Sequence, residues 1–322
     1  PMVTPSLSAS DEIPDQPYVS PPPPESNRPG VRPEATMFVQ NVYESLLPWP
    51  GEENGEKVKI ASLRIMQLYC MSVPSGYPPH ETGYREKSSQ DSVNLARSVW
   101  GVVPVEPDGS AYFTVPANTE IYFQALDENG LAVQSMRSGT SIQPGDHVSC
   151  VGCHEPRQRA TQPMIGTPMA MNRPASIPVP EVDGSRPMSY ARLVQPVLDR
   201  NCVECHAKPE SVDQGAMPLG REPIERNFYA SYNNLVGDRY TPGGYAFHDY
   251  GDPLRTIPGR FGARASKLYQ ILSEGHYDVT LTDEEMRRIT LWLDMLSNFY
   301  GVYEKEGGQE QLRGGIAWPT LE

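Results

Sequence analysis

Two periodicities divide the chain. Between residues 36 and 144 apolar positions recur every second residue, the period of a half-buried strand. Ala111, Phe113 and Val115 alternate with polar neighbours, and so do Ile121, Phe123 and Ala125. "KVKIASLRIMQLYC" reads as one long strand whose phase slips near Ala61–Ser62, which predicts a bulge there. Asp108–Gly109 and Asn129–Gly130 are hairpin signals between short strands. The pattern predicts an antiparallel sandwich of the immunoglobulin or transthyretin type.

Further along the period lengthens. Leu193, Val194, Val197 and Leu198 share one helical face, with Pro196 predicting a kink or a late start. Thr282 and Glu285 are spaced as a capping box, and Met286, Ile289, Leu293 and Leu296 then follow on one face. The expected fold class is α+β and multidomain. A β-sandwich-like domain spans 35–160, a Pro- and Met-rich linker 161–187, a mostly helical domain 188–303 and a C-terminal tail 304–322. Residues 1–34 are rich in Pro, Ser and acidic side chains and read as an extended tail, with Pro21–Pro24 favouring polyproline II. Either the body of the protein or a neighbouring subunit is expected to hold that tail, through self-assembly or a complex.

The 322 residues carry a net charge of −13, which argues against nucleic acid and for a basic or locally neutral partner. No run of about 18 apolar residues predicts a membrane span, and no signal segment opens the sequence.

Four of the five cysteines fall in two Cys-x-x-Cys-His pentapeptides, Cys150–Cys153–His154 and Cys202–Cys205–His206. Two thiols at this spacing add to the vinyl groups of one haem, and the histidine that follows lies under the iron. A zinc site would not place a histidine directly after each pair, and a redox pair has no reason to occur twice. The motifs therefore predict two covalently attached c-type haems, with His154 and His206 as axial ligands. Such haems are attached outside the bacterial cytoplasmic membrane, so the sequence reads as a mature exported product, periplasmic or extracellular. Cys70 is left over and reads as a buried thiol at a strand end.

A helix before the second motif and another closing the domain is the layout of a class I cytochrome c. There the sixth iron ligand comes from the loop before the last helix. That loop is "SEGHYDVTL", and it offers His276. For the first haem His80 is the first choice, while His248, a methionine among Met164, Met169 and Met171, or no protein ligand stay open. His147 sits too close to Cys150 to fold back without strain. Arg255, Arg260 and Arg264 flank "IPGRFGAR" and suit haem propionates.

"PVEPDGSAYFTVPANTEIYFQALDENGLAVQSMRSGTSIQPGDHVSCVGCHEPR" and "IPGRFGARASKLYQILSEGHYDVTLTDEEMRRITLWLDM" resemble the middle and C-terminal haem domains of the hydrazine synthase alpha subunit family, over about residues 35–303. The resemblance implies two histidine ligands for the C-terminal haem, which fits His206 and His276. Longer members carry a β-propeller ahead of these domains; here the propeller is expected to be missing or a separate chain. In the synthase the middle-domain haem is catalytic, and a tyrosine four residues after the motif histidine binds its iron. Gln158 stands at that position. Glutamine is a poor iron ligand, so His154 becomes the natural proximal ligand.

Two function classes follow. Electron transfer to and from a redox partner protein needs two six-coordinate haems. Catalysis, synthase-like or peroxidase-like, needs an open iron position and a nearby acid or base. Electron transfer is the favoured reading, because no tyrosine and no acid–base pair marks the first site.

Overall fold

The structure is a computed structural model that describes residues 33–70, 96–136, 138–153, 158, 160, 166–225, 227–236, 256–303 and 305–319. The expectations for residues 1–32 of the tail and for His80, His154, Met164, His248 and Arg255 lie outside these residues.

Seven strands form the β part: β1 (Glu34–Val39), β2 (Ser62–Leu68), β3 (Arg97–Pro104), β4 (Ala111–Pro116), β5 (Ile121–Leu126), β6 (Ala132–Ser135) and β7 (His147–Cys150). They make a three-stranded sheet, β4-β1-β7, and a four-stranded sheet, β3-β2-β5-β6. The pairings are antiparallel except β1 with β7, which is parallel. Met37, Val39, Phe113 and Val115 from one sheet meet Leu63, Ile65, Val103, Phe123 and Ala125 from the other in one core. Phe113 and Phe123 touch edge to face across it at 5.7 Å. This is a two-sheet sandwich, and the alternation read along β4 is the pattern of its buried residues.

The turn signals part ways. Asn129–Gly130 closes the β5–β6 hairpin, with Gly130 at φ 73°. Asp108–Gly109 is also a turn, but it carries the chain from β3 in one sheet to β4 in the other. The bulge is displaced too. Ala61 precedes the strand, and the register shifts at Ile65/Met66, where Trp100 is the extra residue on β3. Residues 173–180, expected as free linker, seal the open side of the sandwich. Ser176 exchanges main-chain hydrogen bonds with Tyr112 and Thr114 of β4, and Val179 with Val102 of β3.

The helical part comprises α1 (Tyr190–Leu193), α2 (Gln195–Asn201), α3 (Val203–His206), α4 (Pro209–Asp213), α5 (Ala230–Val236), α6 (Gly262–Ala265), α7 (Lys267–Glu274), α8 (Asp283–Asp294) and α9 (Lys305–Leu312). The helix expected around Pro196 breaks at Val194 and restarts with Pro196 in its first turn, where a missing N–H leaves nothing unpaired. Tyr190, Tyr232, Trp292 and Phe299 pack ring against ring at 5.0–6.4 Å, each pair adding about 0.5–1.5 kcal/mol to its burial.

The two parts share a sheet. Met66, Leu68, Val99, Tyr122 and Leu131 point away from the sandwich core and belong to the core of the helices. All six residues of β5 are therefore buried. A polar network crosses the same junction. Arg64, fully buried in β2, ion-pairs with Asp294 at the C-terminal end of α8 (3.1 Å) and with Glu181 (3.3 Å). Asp294 also accepts main-chain N–H groups from Ala132 (3.0 Å) and Ala263 (2.9 Å). A carboxylate is unfavourable at a helix C-terminus, and these donors are what hold it there. Burial pushes the Asp294 carboxyl up, against the opposing pull of Arg64 and the two amides. Among the described residues no helix is long and apolar enough to cross a membrane.

Candidate functional site

Leu193, Val194, Val197 and Leu198 are all buried, so the face they share fixes how α1 and α2 lie. That fixes the chain that follows: α2 ends at Asn201, Cys202 caps it, and α3 is the single turn to His206, whose N–H donates to the Cys202 carbonyl (3.0 Å). Cys202 is half-buried, and burial pushes its thiol up to about 11. A thiol held that way is no thiolate nucleophile.

His206 donates through Nδ1–H to the main-chain carbonyl of Met217 (2.8 Å). That bond leaves Nε2 with a lone pair and sets the plane of the ring, as in metal-ligating histidines. Facing it is His276, on the loop between α7 and α8. The ring centroids lie 6.1 Å apart with planes at 38°. Two metal–nitrogen bonds of about 2 Å each, with the ring radii added, come to about the same span. The residues present thus fit an iron between two imidazoles, with the Cys202 and Cys205 thiols on the turn that carries one of them.

One carboxylate fastens both halves. Glu285 Oε2 accepts the N–H and the hydroxyl of Thr282, while Glu285 N–H donates to Thr282 Oγ1 (3.2 Å), which completes the capping box of α8. Its Oε1 accepts Asn201 Nδ2 (3.0 Å) and pairs with Arg200 (3.1 Å), the two residues before Cys202. The end of the His276 loop is thereby tied to the start of the Cys-x-x-Cys turn. The Thr282 amide, with Asn201 and Arg200 helping, holds the Glu285 carboxyl below the usual range.

The first motif grows from β7 at a sheet edge. Parallel pairing sets Cys150 beside Val39, facing the sandwich core, and both Cys150 and Cys153 pack on that core. His147 is in register with Thr36 on the opposite face, and its Nδ1 is hydrogen-bonded to the Thr36 hydroxyl. Gly152, between the cysteines, runs against the Asn41 and Glu44 carbonyls. A Cβ there would lie 2.3 Å from the Glu44 oxygen.

The stretch from β2 to this motif has a match among known families: residues 58–155 match the hydrazine synthase alpha subunit middle domain. The hydrazine synthase subunit alpha of Kuenenia stuttgartiensis is 22% identical over 321 residues, covering 77% of this chain and 39% of the relative. The solved Kuenenia stuttgartiensis hydrazine synthase superposes with a TM-score of 0.56 at 19% identity, over 84% of this chain and 44% of that one. The chain is similar to the hydrazine synthase alpha subunit family. It spans about two fifths of the length of the curated family member.

The other candidates fall in different places. Gln158, where the synthase resemblance sets a tyrosine, is exposed. Arg264 donates to Asp127 across the sheet–helix junction (2.5 Å), and Arg260 lies at the surface. Met169 and Met171 are half-exposed on a short 3-10 turn. Cys70 is exposed rather than buried, because β2 stops at Leu68 and Tyr69 takes the inward position. Sequence reasoning missed the Met217 carbonyl, which carries no side-chain signal, and the second role of Glu285, hidden behind its capping-box spacing.

Proposed function

We propose that this chain is an exported dihaem c-type cytochrome for electron transfer, its haems attached at Cys150/Cys153 and Cys202/Cys205. The observation that carries this reading is the facing pair His206 and His276 beside the second Cys-x-x-Cys turn. A bound haem supplies a one-electron couple. His206 and His276 would hold the iron of that haem between them and would leave no position open to substrate. The Met217 carbonyl fixes the orientation of the His206 ring. At the first motif His154 would hold the iron, with His80 the first choice as its second protein ligand. Arg255 and Arg260 are candidate propionate partners, while the Arg264 guanidinium is engaged by Asp127. The relative's name makes it one subunit of an enzyme, and complex formation, with the Pro-rich tail as the docking segment, belongs to this proposal.

A second reading rests on the family match over the first-motif domain: a haem enzyme, or a subunit of one, with an open iron position at Cys150/Cys153. Mass spectrometry of the purified protein tests the common ground, with the expected mass being that of the polypeptide plus two haems. Electron paramagnetic resonance of the oxidised protein separates the readings. Two low-spin signals support electron transfer. A stoichiometric high-spin signal that collapses on adding cyanide supports the enzyme.

A further inference from the structure

The loop that presents His276 carries a second unusual side chain. Tyr277 is 94% exposed, the largest exposure among the big apolar and aromatic side chains described. Its φ is +50°. Val279 N–H donates to the His276 carbonyl (3.1 Å), so Tyr277 is the second residue of a four-residue turn. Glycine is the usual occupant of a left-handed φ at that position, and a bulky residue there is an outlier. The ring is not buried in return. One side meets the His276 imidazole edge to face at 4.9 Å, and the rest stands in water. Neither packing nor turn chemistry accounts for a tyrosine here.

The surroundings are acidic. Glu274, the last residue of α7, and Asp278 in the loop stand two residues to either side of His276. Glu204 stands two residues before His206, and Glu210 and Asp213 follow on α4, all exposed. Lys208, paired with Glu204 at 3.8 Å, is the basic member of the group. With the two histidine rings 6.1 Å apart, the turn that carries Glu204 and the loop that carries Asp278 meet at this centre and give it an acidic rim.

We propose that Tyr277 anchors a docking surface for a redox partner protein that presents a basic patch over the His206–His276 centre. This rests on the electron-transfer reading above. An exposed tyrosine offers a rigid ring to a partner's apolar or guanidinium group, and the carboxylates steer a cationic surface onto it. A second copy of this chain, with its net charge of −13, is repelled from the same rim. One electron passes from the reduced partner to the oxidised centre, and no atoms are exchanged.

The test is stopped-flow reduction of the holoprotein by a reduced basic monohaem cytochrome c, with dithionite as the small-molecule control. Tyr277→Ala and Tyr277→Gly are expected to slow the protein reaction about tenfold, the loss of one interface anchor, and to leave the dithionite rate unchanged. Tyr277→Gly relieves the backbone and must fold at least as stably as wild type, so a folding defect is separable. Asp278→Lys is expected to slow the reaction at low salt and to lose its effect at high salt. Unchanged rates in both Tyr277 variants overturn the docking assignment. So does a shifted spectrum of the second haem with an unchanged partner rate, which would set the ring against the haem. A wild-type chain without haem on Cys202 and Cys205 overturns the electron-transfer reading itself, and the docking proposal with it.

Discussion

Asp294→Ala is expected to loosen the junction between sandwich and helices more than any other single polar change. The side chains of Arg64 and Asp294 are both fully buried. Removing the carboxylate leaves the Ala132 and Ala263 N–H groups without their acceptor and strips Arg64 of one of its two counter-charges. Breaking a buried ion pair from one side costs about 3–5 kcal/mol, in contrast to about 0–1 kcal/mol for a surface pair. Chemical denaturation followed by circular dichroism measures the loss. Asp294→Asn keeps an acceptor and most of the volume, so it should fall between wild type and alanine. Gly262 sharpens the test. It sits at φ +61°, and a Cβ there would lie 2.5 Å from Asp294 Oδ1. Gly262→Ala should therefore be more damaging in wild type than in the Asp294→Ala background, a coupling expected of groups in contact. A loss below about 1 kcal/mol for Asp294→Ala, or additive effects with Gly262→Ala, would refute the reasoning.

Other expectations concern the site. His276→Ala should convert the second haem from low-spin to high-spin and leave the first unchanged, read by electron paramagnetic resonance; an intact low-spin pair would mean another residue binds that iron. Glu285→Ala removes the capping box and the ties to Asn201 and Arg200, with a loss of about 1–3 kcal/mol in thermal or urea unfolding. Because the folded state holds the Glu285 carboxyl below its usual range, its contribution is present above the ordinary glutamate pKa and disappears as pH falls through the lower folded value; Glu285→Gln should flatten that part of the stability–pH curve. Gly152→Ala forces the first motif off the Glu44 and Asn41 carbonyls. It should lower the haem loaded at Cys150/Cys153, by mass spectrometry, without changing the second.

The capping box, the broken helix at Pro196, the alternation of β4 and the Asn129–Gly130 hairpin were legible in the chain because each depends on neighbours a few residues away. Arg64 was not. A polar residue in a strand reads as a solvent position, and its burial depends on Asp294, 230 residues on. The same distance hid the double burial of β5, which looks like a half-exposed strand until the helices cover its outer face. Asp108–Gly109 has the right residues for a tight turn, but turn chemistry does not say which sheet receives the next strand. At the site the position of His276 was legible from the order of helix, motif, loop and helix. The carbonyl that orients His206 was not, since any residue supplies one.

A sheet with two buried faces has no face to surrender. Cutting the gene within 161–187 yields one fragment with Met66, Leu68, Val99, Tyr122 and Leu131 in water and another whose helices have lost the floor they stand on. Neither half is expected to stay soluble and folded by itself. The two Cys-x-x-Cys-His pentapeptides are thus parts of one folding unit rather than beads on a string.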